Sequence, residues 1–355
     1  MPPNPERNPS RGSAPPTPPR GTRFRRPERA VTALAAFLTL AVTPAAQAWG
    51  RGTNLVRKYK LGQRMVYQTS IETRAKVRSN PEGLKALLPP LPTDLSARQQ
   101  NTVTVRSVSP DGVAEVENRF DRFEFRSNLP ELLPEEARGS AQAAQEELGK
   151  RVSGQTLTVR YDRSGKLLGF EGADAVLSEL DAPLQEAARQ ILRLFLEQMG
   201  GHALYPGHRV KKGEEWKKKL DSHPTDGYPF AVEGESTMRY VGKTRYRGVK
   251  AAIIDFKFTN LLRPSMESLR EAGPLAQLES HGLGLDIKID GQGQGRVIVA
   301  LDDGRILQNH TTLQQTLSAK LKTNPGIHLP VSGPLTLDVD SETRLELDGE
   351  GKPGH

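Results

Sequence analysis

Met65-Val66-Tyr67-Gln68-Thr69-Ser70-Ile71-Glu72-Thr73-Arg74-Ala75-Lys76-Val77-Arg78 alternates without a break. Its odd positions are apolar or small, and its even positions from Gln68 onward are polar or charged. A period of two puts each set on its own face of a strand, so the stretch predicts a long β-strand with one buried face and one wet face. The same pattern returns at Phe230, Val232, Gly234, Ser236, Met238 and Tyr240, and at Ala252, Ile254, Phe256 and Phe258. It returns again at alternate positions from Leu307 to Leu321, and at every odd residue from Leu335 to Leu347. A strand of about 13 residues spans roughly 43 Å, and long antiparallel strands coil strongly. We therefore expect a mainly β (β-rich α+β) chain built on a long curved antiparallel sheet or half-barrel.

One amphipathic helix is expected to pack on it. Leu177, Leu180, Leu184, Ala188, Ile191 and Phe195 recur at helical spacing ahead of Gly200-Gly201, which predicts a helix over Ala175–Met199 on the concave face. A weaker Ala/Glu/Gln-rich pattern covers Glu135–Leu148, and Ser265–Ser280 is a further helical candidate. Leu84, Leu87, Leu88 and Leu91 lie among prolines and read as an apolar loop or short lid.

Turn chemistry divides the chain into two similar halves. Lys60-Leu61-Gly62-Gln63-Arg64-Met65 matches Lys211-Lys212-Gly213-Glu214-Glu215-Trp216. The turn at Val108–Val113 corresponds to Val241–Val249, and Val159–Leu168 corresponds to Val299–Leu307. Three matches in one order favour a duplicated meander. The expected organisation is a first meander half with its helix over 49–200, a second half over 201–347, and a flexible tail over 348–355.

The first 48 residues stand apart. They hold seven Arg and two Glu, which leaves 43 basic and 40 acidic residues in the remainder, so the +8 charge of the whole chain comes mainly from this segment. Arg23, Arg25, Arg26 and Arg29 precede an apolar run from Ala30 to Val42, followed by Ala46-Gln47-Ala48 before Trp49. Charge, short apolar run and A-x-A end make a secretory signal, with Arg25-Arg26 a loose fit to the twin-arginine route. There is no Cys, hence no lipid-modified cysteine and no disulfide framework. The expected product is exported, periplasmic or extracellular, and free in solution.

Chemistry is sparse. Thiol catalysis is excluded by the lack of Cys, and neither a G-x-S-x-G elbow nor H-E-x-x-H occurs. The seven histidines are scattered singly. Asp338, Asp340 and Glu342 imitate the start of a calcium loop, but Thr343 stands where the turn needs Gly. Asp302-Asp303-Gly304 and Asp162-Arg163-Ser164-Gly165 have hairpin-turn composition. Gly282, Gly284, Gly291, Gly293 and Gly295 lack the following helix of a dinucleotide loop. Lys217, Lys218 and Lys219 beside Trp216 are interleaved with Glu214 and Glu215 and read as a solvated sheet edge, not a nucleic-acid site. Charges at Glu72, Arg74 and Lys76 argue against a lipid-facing barrel, so a membrane-spanning chain is not expected. No catalytic residue, cofactor or metal is assigned.

The phrase Pro206-Gly207-His208-Arg209-Val210-Lys211-Lys212-Gly213-Glu214-Glu215-Trp216 resembles the "vkvGdsW" element of a secreted bacterial family of unknown function. Tyr59-Lys60-Leu61-Gly62-Gln63-Arg64-Met65-Val66-Tyr67 is similar to the early Y-x-L-x-x-G-x-x-Y strand of that family. Long coiled strands with lid helices also resemble, in architecture alone, the half-barrel of LolA-type periplasmic lipoprotein carriers.

The functional expectation is a non-enzymatic exported protein that binds a lipid or other apolar ligand, or an envelope protein partner. A structural envelope-assembly factor without a small ligand, or a hydrolase without a recognisable motif, is the alternative. Candidate groove residues are Gly291, Gly293 and Gly295, which bare the middle of one strand face, and Leu84, Leu88 and Leu91 as the cover. Either the Ala175–Met199 helix packs on the glycine strip, or the strip widens a cavity for an acyl-like ligand.

Overall fold

A computed structural model describes residues 52–79, 93–178, 204–222, 230–264, 283–323 and 333–351, together with single helical positions between 185 and 199. Among the described residues thirteen strands follow one another: β1 (Thr53–Asn54), β2 (Arg64–Ser79), β3 (Asp94–Val108), β4 (Ala114–Ser127), β5 (Thr156–Tyr161), β6 (Leu167–Glu171), β7 (Arg209–Val210), β8 (Glu215–Ser222), β9 (Phe230–Tyr246), β10 (Val249–Pro264), β11 (Leu283–Ala300), β12 (Ile306–Thr323) and β13 (Leu335–Gly351). Three described helices are α1 (Leu129–Leu132), α2 (Glu135–Val152) and α3 (Asp174–Leu177). β1 pairs with β7, and the other eleven strands form one antiparallel sheet in the order β6-β5-β4-β3-β2-β13-β12-β11-β10-β9-β8. The sheet is mainly β as expected and is not closed into a barrel.

The opening stretch is β2, and its alternation does what the period requires. Met65, Tyr67, Thr69, Ile71 and Thr73 are buried, whereas Gln68, Glu72 and Arg74 are exposed. Its first and last neighbours in the repeat are set by the same local device. Gly62 and Gly213 both adopt positive φ, 74° and 81°. The Gly62 amide donates to the Val105 carbonyl (2.9 Å) and the Gly213 amide to Tyr240 (2.7 Å). The Gln63 amide donates to Lys60 and Glu214 to Lys211, both at 3.0 Å, and the Val105 and Tyr240 amides return to Gln63 and Glu214. Met65 then pairs with Val103, as Trp216 pairs with Met238. Strands β2 and β8 thus begin two meanders with the same turn and register.

Tight turns close the hairpins of each meander. Asp162 accepts from the Ser164 and Lys166 amides at 2.7 and 3.0 Å while Gly165 takes a φ of 83°, which is an Asx-turn. The two meanders meet at β2 and β13, where Thr73 and Ser341 share a buried hydroxyl hydrogen bond of 3.0 Å. Gly349, Glu350 and Gly351 pair with Val66, Met65 and Arg64. The first residues of the expected tail, 348–351, therefore continue as strand, with the extra residue between Leu347 and Gly349 absorbed as a register shift, and 352–355 lie outside the described residues. At the sheet edges stand the short strands β6 and β8, and Lys217, Lys218 and Lys219 lie on β8, where cations discourage pairing with another chain.

Two apolar clusters form the described core. One joins β2–β5 to Leu177, Leu196 and Val152, and the other joins Trp216, Met238, Ile254, Phe256 and Val297. Successive residues of a strand face opposite ways, so Ala251 belongs to the first cluster and Ala252 to the second.

The helices differ from expectation. α2 runs to Val152, four residues beyond the pattern, and buries Ala141, Gln145, Gly149 and Val152. A side chain at Gly149 would come within 3.0 Å of the Phe123 carbonyl, so glycine lets this helix lie close on β4. In the 174–199 segment, α3 and the helical positions Leu192, Leu196 and Met199 pack on the first cluster, not on the glycine strip. Ile191 and Phe195 of the expected stripe lie outside the described residues. The candidate helix at 265–280 and the Leu84–Leu91 segment lie outside the described residues, as do residues 1–51.

Candidate functional site

The glycine strip is in place but its space is occupied. Gly291, Gly293 and Gly295 stand directly opposite Asn260, Phe258 and Phe256 of β10. A Cβ at Gly293 or Gly295 would collide with the Phe258 or Phe256 ring, and one at Gly293 would also lie 2.9 Å from the Thr312 carbonyl. The two rings stack at 6.4 Å, and both are buried. The glycines therefore seat aromatic rings flat on the sheet. Leu84, Leu88 and Leu91 lie outside the described residues.

A hollow of about 820 Å³ opens on the charged face, with Glu72, Arg74, Glu235, Lys257, Asp340 and Glu342 on its walls. These residues come from β2, β9, β10 and β13.

Sequence reasoning missed a second place. Between β1 and β2, the segment Leu55–Tyr59 runs against the turn that joins β11 to β12. The Lys58 amide donates to the Asp303 carbonyl at 2.7 Å, and a side chain at Gly304 (φ 71°) would strike the Val56 carbonyl. The Tyr205 hydroxyl donates to the Gly304 carbonyl. This docking buries Arg57 to 7% exposure.

Arg57 enters a small cavity of about 30 Å³ with Tyr59, Tyr67, Asn118, Tyr161 and Met199 on its walls. Its guanidinium carbon sits 4.5 Å from the Tyr59 ring centre, and Tyr59 stacks on Tyr161 at 5.8 Å with the planes 7° apart. Cation and rings thus form a layered stack. The hydrogen bonds of Arg57 are long, with Nη1 3.4 Å from the carbonyls of Lys58 and Asp303 and Nη2 3.9 Å from the Met65 sulfur. No carboxylate lies within ion-pair distance of it among the described residues. The nearby Asp303 carboxylate, wholly buried, is taken by Arg305 at 2.5 Å and Gln63 at 2.6 Å. The Tyr59 hydroxyl is buried without a hydrogen-bond partner among the described residues.

Electrostatics follow from this geometry. Burial works against the Arg57 charge, but the oxygens of Tyr59, Tyr67 and Tyr205 and of Asp303 outweigh it and raise its pKa. Burial pushes the Tyr59 hydroxyl up to about 12, against the pull of Arg57, and raises Tyr205 as well. At neutral pH the pocket therefore holds a cation and neutral phenols. The turn composition Asp302-Asp303-Gly304 was legible. A single Arg in Leu55–Tyr59 has no periodic signature and was not.

Among the described residues no group of three or more His, Cys, Asp or Glu could hold a metal ion. No family model matches the chain, and no curated protein matches it. The resemblance of Pro206–Trp216 thus rests on its own residues. Among solved structures, one of lipid–protein interactions in lipovitellin is similar at 10% identity and a TM-score of 0.39, over 84% of this chain and 26% of that one. This chain thus spans about a quarter of the lipovitellin chain. DynF of the dynemicin pathway of Micromonospora chersina is similar at 10% identity, over 88% of this chain and 92% of that one, with a TM-score of 0.18. OmpT of Vibrio cholerae is similar at 8% identity, over 82% and 99%, with a TM-score of 0.15. At these scores none carries an argument about this chain.

Proposed function

We propose that this protein is exported on the signal in residues 1–48 and serves, without catalysing a reaction, to bind an apolar ligand along the apolar face of its sheet. One observation carries the reading. The apolar face of the open sheet has a buried floor of Phe256 and Phe258 seated on glycines, and the described helical residues pack on the first cluster instead. A lone sheet must bury its apolar face against something. Thr69, Ser236 and Asn260 add buried polar atoms without hydrogen-bond partners to the same face, which suits a ligand with some polar groups.

The charged hollow favours a second reading, docking of a protein partner by paired charges. Mass spectrometry of the protein purified from cells that export it decides between them. Co-purified acyl-type compounds support the first reading, and a clean protein favours the partner. The same sample tests export: the expected N-terminus is Trp49, and peptides from before Ala46 would overturn the signal assignment.

A further inference from the structure

Where the segment after β1 docks on the β11–β12 turn, the cations exceed the carboxylates by one. Arg305 holds Asp303 at 2.5 Å and Asp302 at 3.4 Å, and Lys60 holds the same two at 3.8 and 3.2 Å. Two cations thus answer two carboxylates, and the buried Arg57 is the surplus charge. Its bonds to the Lys58 and Asp303 carbonyls are long, and among the described residues no carboxylate lines the cavity it enters. A buried charge without a counterion is strongly unfavourable.

The other polar groups on the cavity wall narrow the choice of counterion. The Tyr67 hydroxyl donates to the Met65 sulfur at 3.5 Å, the Tyr161 hydroxyl to the Leu196 carbonyl at 2.8 Å, and the Tyr205 hydroxyl to the Gly304 carbonyl. The Tyr59 hydroxyl alone among these phenols is buried without a hydrogen-bond partner among the described residues. Guanidinium and neutral phenol both donate, so the group that completes them is an anionic acceptor. A cavity of about 30 Å³ has room for about two water-sized groups. That space admits a single-atom anion and excludes a five-atom oxyanion or a carbon chain.

We propose that the Arg57 pocket is a halide site, in which chloride lies between the Arg57 guanidinium and the Tyr59 hydroxyl. The ion is the counterion that the docked segment lacks. The site stands on the pocket alone and is independent of the apolar-ligand reading.

The test is thermal unfolding of the mature full-length chain at constant ionic strength, with sodium gluconate exchanged for sodium chloride. The melting temperature is expected to rise saturably, by about 2–4 °C once chloride stands tenfold above its Kd. Bromide should act as chloride does. Arg57→Met is expected to remove this rise, which separates the site from general salt effects common to both proteins. If Arg57→Met does not fold, Tyr59→Phe keeps the charge and removes one donor. It should raise the chloride concentration at half-effect by about tenfold. No rise in the unaltered protein, an equal rise in Arg57→Met, or an unchanged half-effect in Tyr59→Phe overturns the site. An Arg57-dependent rise as large with sulfate as with chloride overturns the enclosed halide pocket and makes Arg57 part of an open anion surface.

Discussion

At Gly293 a methyl group would have to share space with the Phe258 ring and approach the Thr312 carbonyl to 2.9 Å. Overpacking of this kind costs about 1–3 kcal/mol, so Gly293→Ala should lower the urea midpoint. Phe258→Leu in the same chain should recover part of that loss, because the two side chains compete for one volume. A fully additive double mutant would show that ring and glycine do not touch. Tyr59 makes a separate demand on pH. Its hydroxyl is held at about 12 against an ordinary 10.0, so the fold favours the neutral phenol. That stabilisation is complete below pH 10 and is lost as pH rises through about 12, on the order of 2 kcal/mol in all. Thermal unfolding followed with tyrosinate absorbance should show the melting temperature falling across that window. Tyr59→Phe should flatten the fall.

Among the elements, the long strands were readable because alternation in β2, β9, β10, β12 and β13 runs far enough to fix both faces. The turns were readable too, since a glycine with positive φ is a local requirement and not a matter of packing. Less legible were features decided by contact. α2 extends over Gly149 because close approach to β4 rewards it there. Arg57 was invisible because one residue makes no pattern. The equivalence of Gly62 and Gly213 gives an element-scale prediction. No neighbour lies within 4 Å of a Cβ at Gly213, so Gly213→Ala should pay only for the left-handed backbone, about 1–2 kcal/mol. Gly62→Ala is expected to fall in the same range by urea denaturation. A neutral effect at one and a loss at the other would mean that the two turns are not equivalent.

At the scale of the molecule, the two meanders are joined through the pairing of β2 with β13. Chain 49–203, expressed alone, would leave β2 as a long unpaired edge, and chain 204–355 would leave β13 so. Such edges recruit other strands. Each piece is expected to self-associate when alone and to form a soluble one-to-one complex when the two are refolded together, as read by light scattering. Two pieces that are each stable monomers would show that the seam contributes nothing to folding. Replacing Ser341 by Val should weaken that complex by removing the buried hydroxyl partner of Thr73.

The position of β13 also imposes an order in time. The strand next to β2 in the sheet is the last of the described strands to be made, so a chain that emerges N-terminus first must wait through some 250 residues before β2 finds its second neighbour. Throughout that interval one long flank of β2 is open to any passing strand, and the molecule is most vulnerable to tangling while it is being born. Chaperones that shield extended edges, rather than compact folded surfaces, are the helpers such a chain would need.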